Sequence, residues 1–206
     1  MSRVAVLISG GGSNMAALAD AHPEHVCLVV SNNPGAGGLA RARERGIEAL
    51  CLDHRPHGRD RAAHEGAVDR ALRERGIEWV CLAGYMRLFT PFLPNAWAGR
   101  MLNIHPSLLP LFPGLDTHAR ALAAGVKLHG CTVHLVTPEV DAGPILAQAA
   151  VPVLPADTPD TLAARVLAQE HRLYPMALAH ALSGQPGAYD GSAALLSPLP
   201  EPRGGT

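Results

Sequence analysis

Arg43-Glu-Arg-Gly-Ile-Glu48 returns letter for letter as Arg73-Glu-Arg-Gly-Ile-Glu78. In each copy a polar, helix-favouring run meets a glycine and then a β-branched residue. That pattern marks a helix end, a C-capping glycine and the start of a strand. The copies lie about thirty residues apart, the length of one strand-plus-helix unit. The same alternation extends outward from them. Leu39 to Arg45 and Asp60 to Arg75 read as helices, and Ile47 to Leu52 and Ile77 to Ala83 as strands. Upstream, Val4-Ala-Val-Leu-Ile8 is a short apolar run suited to a fully buried strand. It runs into Ser9-Gly-Gly-Gly12, and a helix follows with its cap near Ser13. His25 to Ser31 is a second strand, closed by the turn-rich Asn32-Asn-Pro-Gly-Ala-Gly-Gly38. Strands and helices alternating at this spacing specify a parallel α/β sheet with right-handed crossovers.

After residue 84 the rhythm changes. Thr90 and Pro91 suit the cap and first position of a short helix. Arg100 to His105 is a strand stopped by Pro106, and residues 107–116 form an irregular loop. Thr117 to Ala124 is a helix closed by Gly125. Leu128 to Val136 and Ile145 to Val153 are strands whose connection is too short for a helical crossover, so they pair antiparallel. The expected fold is Rossmann-like, a parallel N-terminal half-sheet continued by antiparallel strands with helices on both faces. Thr158 to Leu182 is a long last helix, with an interruption expected near Pro175. One domain spans residues 1–186. Residues 187–206, rich in Gly, Pro and Ser, are expected to form a loose tail.

Composition narrows the class. Of 206 residues 48% are hydrophobic and 17% charged, which suits one well-buried globular domain. The formal net charge of −1 gives no basic field to attract nucleic acid or an anionic membrane. No apolar stretch reaches membrane-spanning length, and the N-terminus lacks a signal-peptide pattern. The expectation is a cytoplasmic protein with neither nucleic-acid nor membrane partners. Cys27, Cys51, Cys81 and Cys131 lie far apart without a C-x-x-C pair, and read as buried reduced thiols. No metal is expected. His129 and His134, five apart on one strand, face opposite sides and cannot share an ion. His54, His57 and His64 fall in a polar stretch and are expected to be exposed.

Three constellations carry chemistry. Ser9-Gly-Gly-Gly-Ser-Asn14 joins a strand to a helix, where glycines let the backbone approach an anion and the helix start offers free N–H groups. A nucleotide P-loop is excluded because no Gly-Lys-Ser/Thr follows. A dinucleotide fingerprint fails at Met15 and at Ser31-Asn32, which supplies no acid for a ribose. A single phosphate monoester remains, with Ser13 and Asn14 as side-chain donors; a glycine turn without a ligand is the alternative. In Asn103-Ile-His-Pro-Ser-Leu-Leu-Pro110, Asn103 and His105 share one side of a strand end. There an amide and an imidazole suit oxyanion stabilisation and proton movement. Asp141, in Val140-Asp-Ala-Gly-Pro144, is by default a turn former. Folded over His105, it would orient the imidazole and favour its charged form.

Together with Leu82-Ala-Gly-Tyr-Met-Arg87 and Pro113-Gly114, these segments fall in the order and spacing of the glycinamide ribonucleotide formyltransferases, which residues 3–186 resemble. The resemblance implies a catalytic trio of Asn103, His105 and Asp141. It assigns Gly12, Ser13, Asn14 and Glu170 to glycinamide ribonucleotide, and Arg61, Met86, Arg87, Leu88, Asn103, Val140 and Asp141 to the reduced folate. The implied co-substrate is 10-formyltetrahydrofolate, without a metal, in a monomer or homodimer. Leu111, Asp116 and Ala142 depart from the family pattern. Another folate-dependent formyltransferase, a formyl-folate hydrolase and a non-catalytic phosphate-binding module are the alternatives. A transferase acting on tRNA would need a basic domain for which 206 near-neutral residues leave no room.

Overall fold

A computed structural model of the chain describes residues 1–184 and the two-residue strand Leu195–Leu196. Beyond that strand, the tail expected at 187–206 lies outside the described residues. The elements follow the order β1 (Val4–Ile8), α1 (Ser13–Ala21), β2 (Val26–Ser31), α2 (Gly37–Glu44), β3 (Glu48–Cys51), α3 (Arg61–Glu74), β4 (Trp79–Leu82), α4 (Phe92–Ala96) and β5 (Met101–His105). Then come α5 (Thr117–Ala123), β6 (Leu128–Leu135), β7 (Ile145–Pro152), α6 (Pro159–Leu182) and β8 (Leu195–Leu196). One sheet is formed in the order β3-β2-β1-β4-β5-β6-β7-β8. Strands β1 to β5 pair parallel, and β6 is antiparallel to both β5 and β7. The short β8 lies parallel to β7.

The repeated hexapeptide does the same work twice. Gly46 and Gly76 both have positive φ, 71° and 60°. In the first copy Gly46 N–H donates to Arg43 O and Ile47 N–H to Ala42 O. In the second, Gly76 N–H donates to Arg73 O and Ile77 N–H to Leu72 O. This paired closure satisfies the last helical carbonyls and aims the chain into the next strand.

Alternation along β1 splits the core. Val4, Val6 and Ile8 pack with Met15, Leu18, Leu39, Leu162 and Leu173 of α1, α2 and α6. Ala5 and Leu7 face Val68, Leu72, Leu93 and Trp97 on the α3–α4 side. Helices therefore cover both faces, as a buried parallel sheet requires.

Two elements depart from expectation. Helix α4 begins at Phe92, with Pro91 at the cap position and no side-chain cap of its own. Glu65 of α3 takes that role: its carboxyl accepts from Thr90 N (2.6 Å), Thr90 Oγ1 (2.8 Å) and Leu93 N (3.3 Å). Helix α6 runs through Pro175 without a break. Proline removes a helix hydrogen bond, but tertiary contacts hold the segment. Tyr174 Oη reaches the carbonyls of Leu82 and Leu102, and His22 Nε2 donates to Pro175 O.

All four cysteines are free; Cys81 and Cys131 are buried, Cys27 and Cys51 only half-buried. Among the described residues no helix is long and apolar enough to cross a membrane. Among the same residues no group of three or more His, Cys, Asp or Glu side chains is placed to hold a metal ion.

Candidate active site

Neighbour order reverses at β1, which lies between β2 and β4. In open α/β sheets ligands sit outside the carboxyl ends of the strands at such a switch point. Two cavities open there. The first, about 530 Å³, is lined by residues 9–14, by Asn32, Asn33 and His54, and by Ala83, Gly84 and Met86. The second, about 130 Å³, lies among Tyr85, Arg87, Leu88, Asn103, His134 and the 136–141 segment.

The glycine loop builds the first cavity. Gly12, not Ser13, is the cap residue of α1; it has φ 73°, and no side chain caps the helix. A Cβ on Gly12 would lie 2.8 Å from Gly38 Cα, so the left-handed backbone and the close approach of α2 both demand glycine. The first N–H groups of α1 are left free toward the cavity, a natural anion seat. Asn14 Nδ2 donates to Glu170 Oε2 at 2.6 Å. Burial pushes the Glu170 carboxyl above its usual pKa, and the Asn14 bond partly offsets this. Asn14 Oδ1 is buried with no partner, an acceptor available to a ligand donor.

The trio assembles on β5 and the β6–β7 connection. His105 Nδ1 lies 3.4 Å from Asp141 Oδ2, with both side chains largely buried. His105 Nε2 lies 3.0 Å from the Phe112 carbonyl, so both ring nitrogens face acceptors. Asp141 Oδ2 also accepts from Gly114 N at 2.8 Å, which ties the 106–116 loop to the carboxylate. Asp141 itself has φ 54°. Two residues on, a Cβ at Gly143 would strike Leu135 O at 1.8 Å, so glycine lets the connection lie flat on β6.

Asn103 sits directly across the antiparallel pair from His134. Its Nδ2 donates to His134 Nε2 at 3.1 Å, while His134 Nδ1 donates to Leu135 O at 2.9 Å. This fixes His134 in the neutral tautomer with its lone pair toward Asn103. Burial holds the His134 pKa below its ordinary value, against the raising effects of the Leu135 bond and of Asp141. His134 Nε2 is 3.8 Å from Asp141 Oδ1, so His134 touches two of the three residues assigned to catalysis.

Most expected site residues gather here. Gly12, Ser13, Asn14 and Met86 line the first cavity, and Arg87, Leu88, Asn103, Val140 and Asp141 the second. Glu170 joins through Asn14. Arg61 does not; it is exposed at the start of α3 and lines neither cavity. His64 corrects another expectation: it is 1% exposed, and its Nε2 donates to Leu52 O at 2.8 Å. His54 and His57 are half-buried, each with its ring against His64. His64, on the inward face of α3, is the ring these two pack against. His129 packs between His118 and Phe112, away from His134. Sequence reasoning missed His134 and Ser9 as site residues. The signal for His134 is its register opposite Asn103, which becomes visible only when β5 and β6 are paired.

Residues 2–178 match the family model described as formyl transferase. The chain belongs to the formyl transferase family. Among curated relatives, the Escherichia coli phosphoribosylglycinamide formyltransferase is 42% identical over 187 residues, covering 88% of each chain. The trifunctional purine biosynthetic protein adenosine-3 of Gallus gallus is 47% identical over 187 residues, 88% of this chain. This formyl transferase chain matches only 18% of the length of that protein. Among solved structures, glycinamide ribonucleotide transformylase 1 from Symbiobacterium toebii superposes with a TM-score of 0.86 at 48% identity, covering 89% of both chains. The doubly covered sheet with its antiparallel C-terminal strands is the formyltransferase fold.

Proposed function

We propose that residues 1–186 transfer the formyl group of 10-formyltetrahydrofolate to the amine of glycinamide ribonucleotide, as a cytoplasmic monomer or homodimer in purine synthesis. The observation that carries this reading is the His105–Asp141 pair at 3.4 Å, with Asp141 and Asn103 lining the second cavity and the anion-seating loop lining the first. The free N–H groups of α1 and the Ser13 hydroxyl suit the ribonucleotide phosphate, and the unpartnered Asn14 Oδ1 suits a donor on the same substrate. Arg87, Leu88 and Val140 suit the folate, which combines flat ring systems with carboxylates. Each transfer consumes one formyl folate and yields one tetrahydrofolate, so folate acts here as co-substrate.

The neutral amine attacks the formyl carbon, forming a C–N bond and placing negative charge on the formyl oxygen. One Asn103 N–H is held by His134, and the other is free to meet that oxygen. His105 becomes the second donor when its Nε2–H exchanges the Phe112 carbonyl for that oxygen, while Nδ1 stays against Asp141. Asp141 orients the imidazole and, through a water, accepts the amine proton. Collapse breaks the bond to folate N10, which takes a proton and leaves as tetrahydrofolate.

A double-mutant cycle on kcat tests the assignment. Asp141→Asn keeps shape and loses charge, so binding survives while turnover falls by about 10² to 10⁴. Adding His105→Ala costs far less than the product of the single losses, because the pair acts as a unit. Multiplicative losses would contradict it.

A further inference from the structure

We infer that Ser9 is a positioning residue for folate binding: its hydroxyl pins the partition between the two ligand cavities. The inference rests on the reading of Met86-Arg87-Leu88 as folate-binding. That segment divides the two spaces, since Gly84 and Met86 line the first cavity while Tyr85, Arg87 and Leu88 line the second. No regular element stabilises it, because β4 ends at Leu82 and α4 begins at Phe92. Its order must come from specific bonds.

Ser9 supplies two of them. Its backbone N–H donates to Gly84 O at 3.1 Å, and its Oγ accepts from Met86 N–H at 2.7 Å. The hydroxyl proton goes to Asn32 Oδ1 at 2.5 Å, so the single Oγ serves as both donor and acceptor. Asn32 is 4% exposed, and its carbonyl takes the Nδ1 proton of His54 at 2.8 Å. Asn33 Nδ2 donates to Ser9 O at 3.2 Å. A continuous run of bonds therefore crosses the carboxyl ends of β3, β2, β1 and β4. Ser9 joins the phosphate loop to the partition. Glycine or alanine would suffice to turn the chain at position 9; only a hydroxyl can make both side-chain bonds.

Losing Oγ frees the Met86 N–H and lets the partition shift, while the backbone of residues 10–14 and the α1 start stay in place. Ser9→Ala is therefore expected to weaken binding of 5-formyltetrahydrofolate, a non-transferring folate probe, roughly three- to tenfold. Ribonucleotide affinity, whose cavity Ser9 also lines, should fall less than folate affinity, and Ser9→Thr, which keeps the hydroxyl, should restore folate binding. Titration calorimetry on the full chain reads all three. Equal folate affinity in wild type and Ser9→Ala, or equal losses for both ligands, would overturn the inference. No folate binding by wild type would overturn the functional reading and this inference with it. A Ser9→Ala protein that melts like wild type yet loses folate affinity separates positioning from loss of the fold.

Discussion

Asp141 occupies a backbone conformation, φ 54°, that few non-glycine residues adopt. Aspartate tolerates it better than most, and here the geometry brings one carboxylate against Gly114, His105 and His134 together. Asn14 works comparably in the first cavity, with one atom bound to Glu170 and one left free. Asn14→Ala is expected to raise KM for glycinamide ribonucleotide about tenfold or more, since it removes the free acceptor and unpairs a buried carboxyl. The folate KM should stay within twofold. Steady-state kinetics with each substrate varied checks this, and equal rises would detach Asn14 from the phosphate cavity. At this scale the sequence was informative where residues lie close along the chain: Asn103 and His105 share a strand face because they are two apart. His134 stayed hidden because its role comes from cross-strand register, which neither segment encodes alone. Ser9 stayed hidden because its partners, Asn32 and Met86, come from two other β–α units.

Helix starts show the balance between local and tertiary control. Asp60 caps α3 in the ordinary way, accepting from Ala63 N at 2.9 Å, and that start was legible. Helix α4 has five residues and depends instead on Glu65, 3% exposed and far away in sequence. Glu65→Ala leaves Thr90 N, Thr90 Oγ1 and Leu93 N without their partner. The expected cost is about 2–4 kcal/mol of unfolding free energy, read as a lower urea midpoint. A midpoint equal to wild type would show that water replaces the carboxyl at no cost. The same tertiary override carries α6 across Pro175, where sequence rules alone call for a break. The β–α rhythm of residues 3–83 was legible because helix stops and strand starts are local events, each marked by glycine.

For the whole molecule, the buried histidines make stability depend on pH. Burial, reinforced by His118 and His105 nearby, lowers the His129 pKa from 6.5 to about 4, and burial lowers that of His118 as well. The unfolded chain binds protons that the folded chain refuses, so stability is present above about 6.5 and lost as pH falls toward about 4. His129→Phe keeps the ring against Phe112 and removes one such group, so its Tm should fall less steeply than wild type over that range. Parallel slopes would remove His129 from the account. Formyl transfer itself is read by stoichiometry. Purified protein is given 10-formyltetrahydrofolate and glycinamide ribonucleotide, and both products are quantified. One tetrahydrofolate is expected for each formylated ribonucleotide, with no folate turnover without the ribonucleotide and near-complete loss of both products in Asp141→Asn. Formate release independent of the ribonucleotide, or no turnover at all, would contradict it.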